Sequence, residues 1–224
     1  MTRSSQLGGS DRRLEPLVNG AVIEIRTPSA VGSEIIMLTT AHCTIVAVDI
    51  EGFGRRSRNN INQVRVRHGL YRSMQCAFDA AGIPWMSCHR EDRGDGVLVL
   101  ASADVPKALF VNNLPDTLVC ALAEHNALHP AEERIRLRLA LHAGEITYDE
   151  HGVTSSSIMH TFRLIDAAAL RTKLAKSSAT LAIISSDWFY DDVVRHSERS
   201  VASSYRSINV TAKETTARAW IRLL

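Results

Sequence analysis

Hydrophobic positions change period several times along the chain, and each change predicts an element. "TIVAVDI" (44–50) is a continuous apolar run of strand length that ends in an acid, the pattern of a strand covered on both faces. After "EGFG" and the polar "RRSRNN", a helix is predicted from near Ile61 with Asn60 as its cap. Val66, Leu70, Met74 and Phe78 recur every four residues as its core stripe, and Gly82 stops it.

Further on, "PWMSCHRE" and "DGVLVLAS" predict two strands joined by the tight turn "RGDG". "PKALFVNNLPDTLVCALAEHNALHP" is helical in its second part, with Pro115 suited to a first helical position and Leu118 and Leu122 on its stripe. "RIRLRLALHAGEI" alternates charge with Ile135, Leu137 and Leu139, which predicts a strand with one wet face. "YDEHGVTS" turns the chain and "SSIMHTFRLIDAAALRTKLAKS" returns as a helix. "TLAIISSDWFYDDVV" predicts a strand and a short helix, with Trp188, Phe189 and Tyr190 in the core and Asp191 and Asp192 at the surface. "RSINVTAKETTARAWIRL" closes as a two-strand hairpin.

Upstream, residues 1–15 are polar and expected to be mobile, while "AVIEIR" and "EIIML" read as a hairpin or a short appended segment. The expected division is an N-terminal extension over 1–43 and one domain over 44–224. Within that domain the order is β-α-β-β-α-β, then a helix, a strand and a hairpin. This is an α+β protein with a ferredoxin-like βαββαβ core and C-terminal additions.

Composition narrows the function classes. A length of 224 residues suits one domain with an extension, and a net charge of +2 gives no basic tail for nucleic acid. No apolar run is long enough to cross a bilayer, and the N-terminus lacks a signal-peptide core. Cys43, Cys76, Cys88 and Cys120 show no C-x-x-C spacing, so free thiols in a reducing, cytoplasmic setting are expected, with neither disulfides nor a zinc site.

Candidate chemistry centres on two acids. In a β-α-β-β arrangement Asp49, near the end of the first strand, can face Asp95 in the hairpin turn. Two close carboxylates repel unless a cation lies between them, and magnesium favours one or two carboxylates plus substrate phosphates. Gly52 and Gly54 would let backbone N–H groups approach phosphate oxygens. Taken singly, Asp49 reads as a turn cap and "GDG" as a plain hairpin turn; together, in this order, they favour a metal site. His125 and His129 are four apart, but Glu124 precedes the first His, so H-E-x-x-H is absent and a solvated helix end is the better reading. His142 and His160 fall near the expected cleft as structural residues. "RRSR" (55–58) suits a polyphosphate contact or a wet loop equally.

"VAVDIEGFG" resembles the first metal motif of the class III nucleotidyl cyclases, the adenylyl and guanylyl cyclase family. "EDRGDGVLV" is similar to the family's second metal motif, "RLALHAGEI" to its fourth strand, "SIMHTFRLIDA" to its V-N-x-A-x-R-L helix, and "INVTAKETTARAW" to its lysine-bearing hairpin. The resemblance covers about 44–224. It implies two magnesium or manganese ions on Asp49, Asp95 and the Ile50 carbonyl, with phosphates cradled by Gly52, Phe53 and Gly54. It makes Arg163 the stabiliser of α-phosphate charge and Lys213 a holder of terminal phosphates. Glu91 and Gly152 take the base-recognition positions, and glutamate there goes with guanine, so GTP leads over ATP and the pyrimidine triphosphates. The implied assembly is a homodimer whose sites take the aspartates from one copy and Arg163 from the other. Met159 departs from the family asparagine, leaving a second reading: a weak or inactive module that binds nucleotide or a partner protein.

Overall fold

The computed structural model describes residues 20–29, 32–212 and 215–224. Residues 1–15, expected to be mobile, and Lys213 lie outside that description. The two upstream apolar stretches form a hairpin, β1 (Ala21–Ser29) and β2 (Gly32–Ile50), paired antiparallel. β2 runs on without a break through the 43/44 position into "TIVAVDI".

Next come α1 (Asn60–Ala80), β3 (His89–Asp92), β4 (Gly96–Ser102), α2 (Leu109–Asn112), α3 (Leu114–Leu128) and β5 (Leu137–Asp149). They are followed by β6 (Gly152–Thr154), α4 (Ser156–Ile165), α5 (Ala168–Ala175), β7 (Leu181–Ser186), α6 (Asp187–Asp192), α7 (Arg199–Ser204), β8 (Arg206–Ala212) and β9 (Thr215–Leu223). The strands join in one sheet of order β3-β4-β2-β5-β7-β9-β8, with β1 on β2 and β6 on β5. The expected α+β core with C-terminal additions is therefore present.

Helix α1 begins one residue earlier than expected. Asn59, not Asn60, is the cap: its side chain accepts from the Asn62 backbone N–H, and Asn62 Oδ1 accepts from the Asn59 backbone N–H. That reciprocal pair satisfies two of the backbone donors a helix start leaves open. The stripe Val66, Leu70, Met74 and Phe78 is fully buried, and Phe78 meets Trp85 and Phe110 edge-on at 5.1 and 6.1 Å. "PWMSCHRE" is only half strand, because Trp85–Ser87 form a 3-10 turn before β3.

Three further expectations are corrected. The charge-bearing face expected of β5 to be wet is largely covered: Arg138 and His142 are half-buried residues with partners. Residues 156–175 form two helices, because Ala167 leaves helical geometry between α4 and α5. Trp188 is exposed, whereas Phe189 is buried and Tyr190 stacks on Trp220 at 3.6 Å.

The sheet sorts the chain's chemistry by face, since side chains alternate along a strand. Val46, Val48 and Ile50 of β2 pack into the core that also holds the α1 stripe and Leu118 of α3. Ala47 of the same strand packs instead with Leu164 of α4 and Leu170 of α5. Asp49 shares that second face with Ala47 by its spacing of two residues.

Candidate functional site

Asp49 is the last but one residue of β2, opposite Gly96 on one side and Arg138 on the other. Gly96 is obligatory at this register: a Cβ there would stand 2.0 Å from the Val48 carbonyl oxygen. The β3–β4 turn closes against the end of β2, where the Ile50 N–H donates to the Asp95 carbonyl at 2.9 Å. The backbone thus brings Asp49 and Asp95 to adjoining strand ends.

The residue that sequence reasoning missed is Arg138. Its Nε and a terminal nitrogen each donate to one oxygen of Asp49 at 2.7 Å, a two-pronged ion pair of the stronger kind. Burial pushes the Asp49 carboxyl above its ordinary value, against the pull of Arg138, and the charges of Asp95 and Asp166 add to that rise. One strand step away, Arg136 pairs with Glu51 at 2.9 Å, and the Glu51 N–H donates to the Arg136 carbonyl. The R-x-R spacing of 136 and 138 thus meets the D-x-E spacing of 49 and 51. That match was the available signal, but only the β2–β5 register reveals it.

Two carboxylates at adjoining strand ends, the more buried of them already paired with a cation, are the kind of ligand a hard divalent ion takes. Arg138 takes one lone-pair direction on each Asp49 oxygen and leaves the others for such an ion. The donor set therefore fits the expected magnesium or manganese, on Asp49, Asp95 and the adjoining Ile50. Among the described residues no group of three or more His, Cys, Asp or Glu side chains forms a metal cluster.

The loop after β2 is held from below. Gly52 has φ +64°, in the left-handed region, and a Cβ there would run into the Arg55 side chain at 2.1 Å. Within "RRSR", Arg58 is buried rather than wet. It donates to the carbonyls of Gly52, Glu132 and Arg134 at 3.2, 2.8 and 2.6 Å. Its guanidinium is a strut that fixes the Gly52–Phe53–Gly54 turn and is not turned towards a ligand.

The two base-recognition candidates also converge. A Cβ on Gly152 would lie 3.3 Å from Glu91 Oε1, and Gly152 has φ +130°. Arg93 donates to Glu91 Oε2 at 2.6 Å, and His89 Nε2 lies 3.3 Å from Oε1. Arg93 in turn stands over the Phe162 ring at 5.1 Å, joining this hairpin to α4.

Arg163 lines a pocket of about 530 Å³ with Met159, Phe162, Asp166, Arg171 and Thr211. Among the described residues its lining includes neither Asp49 nor Asp95. Met159 is exposed there and offers no hydrogen to donate. Thr211 lies two residues before Lys213, so the lysine call falls just outside the described residues. Nearby, His142 Nδ1 sits 2.8 Å from Ser186 Oγ and its ring 5.1 Å from that of His160. Burial, then the charges of His160 and His42, lower the His142 pKa to about 4. Burial, then Arg163, lower that of His160. Both shifts favour the neutral imidazole at neutral pH. All four cysteines are free thiols, and no helix among the described residues is long and apolar enough to cross a membrane.

Neither a protein-family model nor a curated protein sequence matches the chain. Solved structures do. An adenylate/guanylate cyclase/hydrolase from Silicibacter pomeroyi aligns at TM-score 0.58 and 20% identity, over 84% of this chain and 99% of that one. The guanylate cyclase domain of RhGC from Catenaria anguillulae, in complex with GTP, aligns at TM-score 0.52 and 14% identity, over 82% and 96%. A dimeric guanylyl cyclase domain of the RhoGC fusion protein from Blastocladiella emersonii aligns at TM-score 0.53 and 15% identity, over 81% and 96%. The βαββαβ core, the paired acids at its strand ends and these matches together give this chain the fold of class III nucleotidyl cyclase catalytic domains.

Proposed function

We propose that the chain is a nucleotidyl cyclase, converting a nucleoside triphosphate into its 3′,5′-cyclic monophosphate and pyrophosphate at sites shared by two copies. The observation that carries this reading is the junction of Asp49 and Asp95 at adjoining strand ends, beside a braced glycine turn.

Asp49, Asp95 and the Ile50 carbonyl would hold magnesium or manganese, which when bound neutralises phosphate charge and acidifies the attacking hydroxyl. Arg138 is a positioning residue that aims the Asp49 carboxylate. The N–H groups of Gly52, Phe53 and Gly54 would donate to the β- and γ-phosphates, and Lys213 would hold the terminal ones. As the 3′-oxygen bonds to the α-phosphorus, the bond to the bridging oxygen breaks, pyrophosphate leaves and the hydroxyl proton passes to solvent. Charge grows on the α-phosphate oxygens, where a guanidinium acts best. Arg163 fills that role from the second copy, in keeping with its place in a pocket without the aspartates. A homodimer with two equivalent sites follows.

GTP is the favoured substrate, ahead of ATP and the pyrimidine triphosphates. The Glu91 carboxylate can accept from the two neighbouring N–H donors of guanine, and Arg93 holds it in place. Gly152 leaves the space in front of it open.

Met159 favours a second reading, a module that binds nucleotide or a partner protein without turnover, because nothing at that position donates to the transition state. The separating experiment offers each of four nucleoside triphosphates with manganese. Cyclic product, lost in Asp95→Ala and in Arg163→Ala and restored on mixing them, supports the shared-site cyclase. A thermal shift without product supports the binding module. Met159→Asn should raise turnover by about 10²-fold if that donor is what is missing.

A further inference from the structure

On the opposite side of the sheet from Asp49, α1 and α3 enclose a pocket of about 480 Å³ that the reading above does not use. Arg65, His68 and Arg72 of α1 face His125 of α3, His129 just after it and Glu133 of the following turn across it. Gly69 makes the space, since a Cβ there would stand 2.3 Å from the His125 ring.

The His125 and His129 imidazoles stack with centres 3.9 Å apart. His125 Nε2–H donates to the Glu133 carbonyl at 3.0 Å, and His129 Nδ1–H donates to the His125 carbonyl at 2.7 Å. Both tautomers are thereby fixed, so His125 Nδ1 and His129 Nε2 are the nitrogens left to gain a proton. Glu133 is the one carboxylate among the described lining residues, and its Oε1 already accepts from Arg65 at 2.8 Å and Asn62 at 3.0 Å. Two guanidiniums and three imidazoles thus face a single carboxylate. A volume of several hundred cubic ångströms is that of small-ligand sites.

We propose that this pocket binds a compact, multiply charged phosphate oxyanion of pyrophosphate size, gripped by Arg65, Arg72 and the stacked imidazoles.

Its binding is linked to protonation. Burial, His129 and Arg72 hold His125 below the ordinary imidazole range, against the backbone bond and charge of Glu133. Arg65, paired with Glu133, stands on the same face of α1. An oxyanion reverses that repulsion, so the complex takes up protons and tightens as pH falls. The affinity rises about tenfold per pH unit for each proton taken up.

The test titrates the full chain with inorganic pyrophosphate in excess EDTA, by calorimetry at about pH 6 and about pH 8, in two buffers of different ionisation heat. Saturable binding with proton uptake is expected, tighter at the lower pH. It should weaken at least about tenfold in Arg72→Gln and in His129→Gln, while Arg163→Ala, which lies outside this pocket, binds pyrophosphate as the parent does. Citrate, of similar charge, should bind more weakly. No saturable heat at either pH overturns the proposal, as does binding that survives both pocket variants or shows no proton uptake. Equal binding of citrate overturns the phosphate assignment. Loss in Arg163→Ala moves the ligand to the candidate cyclase site, a result that leaves the cyclase reading standing and removes this one.

Discussion

The sheet's two faces are built from the same strands and differ in what they leave open. Under α1 and α3 the strands present Val48, Val99, Leu139 and Ile183, all buried in one core with Phe78 and Phe110. Under α4 and α5 they present Ala47, Ala140 and Ala182, and Asp49 and Arg138 stand in one cross-strand row between Gly96 and Ala182. Large side chains close the first face completely. Small ones on the second let helices pack over its middle and leave room for charge at its end. Polar groups survive there because each is paired: Asp49 with Arg138, Glu91 with Arg93, His142 with Ser186.

This contrast can be broken from either side. Phe78→Ala strikes the closed face and should cost about 3–5 kcal/mol by urea unfolding, while nucleotide binding per folded molecule stays unchanged. A larger effect on binding than on stability would show that the faces are not independent. Asp95→Ala strikes the open face, where the carboxylate lies in an exposed turn. Product formation should fall at least about 10²-fold, with stability moving by less than about 0.5 kcal/mol.

Arg138→Met should destabilise the fold by about 1–3 kcal/mol, since it leaves the half-buried Asp49 charge without its partner. That loss should shrink on acidification, because Asp49, already shifted upward by burial, then folds as the neutral acid. A pH-independent loss would mean that packing, not charge, is what Arg138 supplies. The smallest effect concerns His142, whose pKa in the fold is about 4. The unfolded chain binds its proton at an ordinary imidazole pKa, so this stability is fully present above that value. It is lost as pH falls towards about 4, on the order of 2 kcal/mol after allowing for partial exposure. His142→Asn should flatten the melting temperature between about pH 7 and pH 4.5.

Several elements were legible because their signal is local. "TIVAVDI" reads as a doubly covered strand from its own seven residues, and the four-residue spacing of Val66, Leu70, Met74 and Phe78 marks one helix face. The break between α4 and α5 was also present in the pattern. Buried Ile165 and Leu170 are five residues apart, about 140° out of phase on a continuous helix. Neither Gly nor Pro marks that break, so it passes as one helix to a search for breakers. The wet face expected of β5 failed for a different reason. Arg136 and Arg138 are charged in the sequence, and their partners Glu51 and Asp49 come from a strand that only the sheet register brings alongside.

For the candidate site, the motifs named the side chains, and the fold showed how they are held. The sequence by itself determined the strands, the helices, the core stripe and the pair of acids in their topological order, because periodicity and burial are written residue by residue. Only the tertiary structure decided that Asp49 is clasped by Arg138, that Arg58 is a buried brace, and that Gly152 lies against Glu91. Those contacts join segments far apart in the chain, and their energies depend on distance and desolvation, which no local pattern encodes.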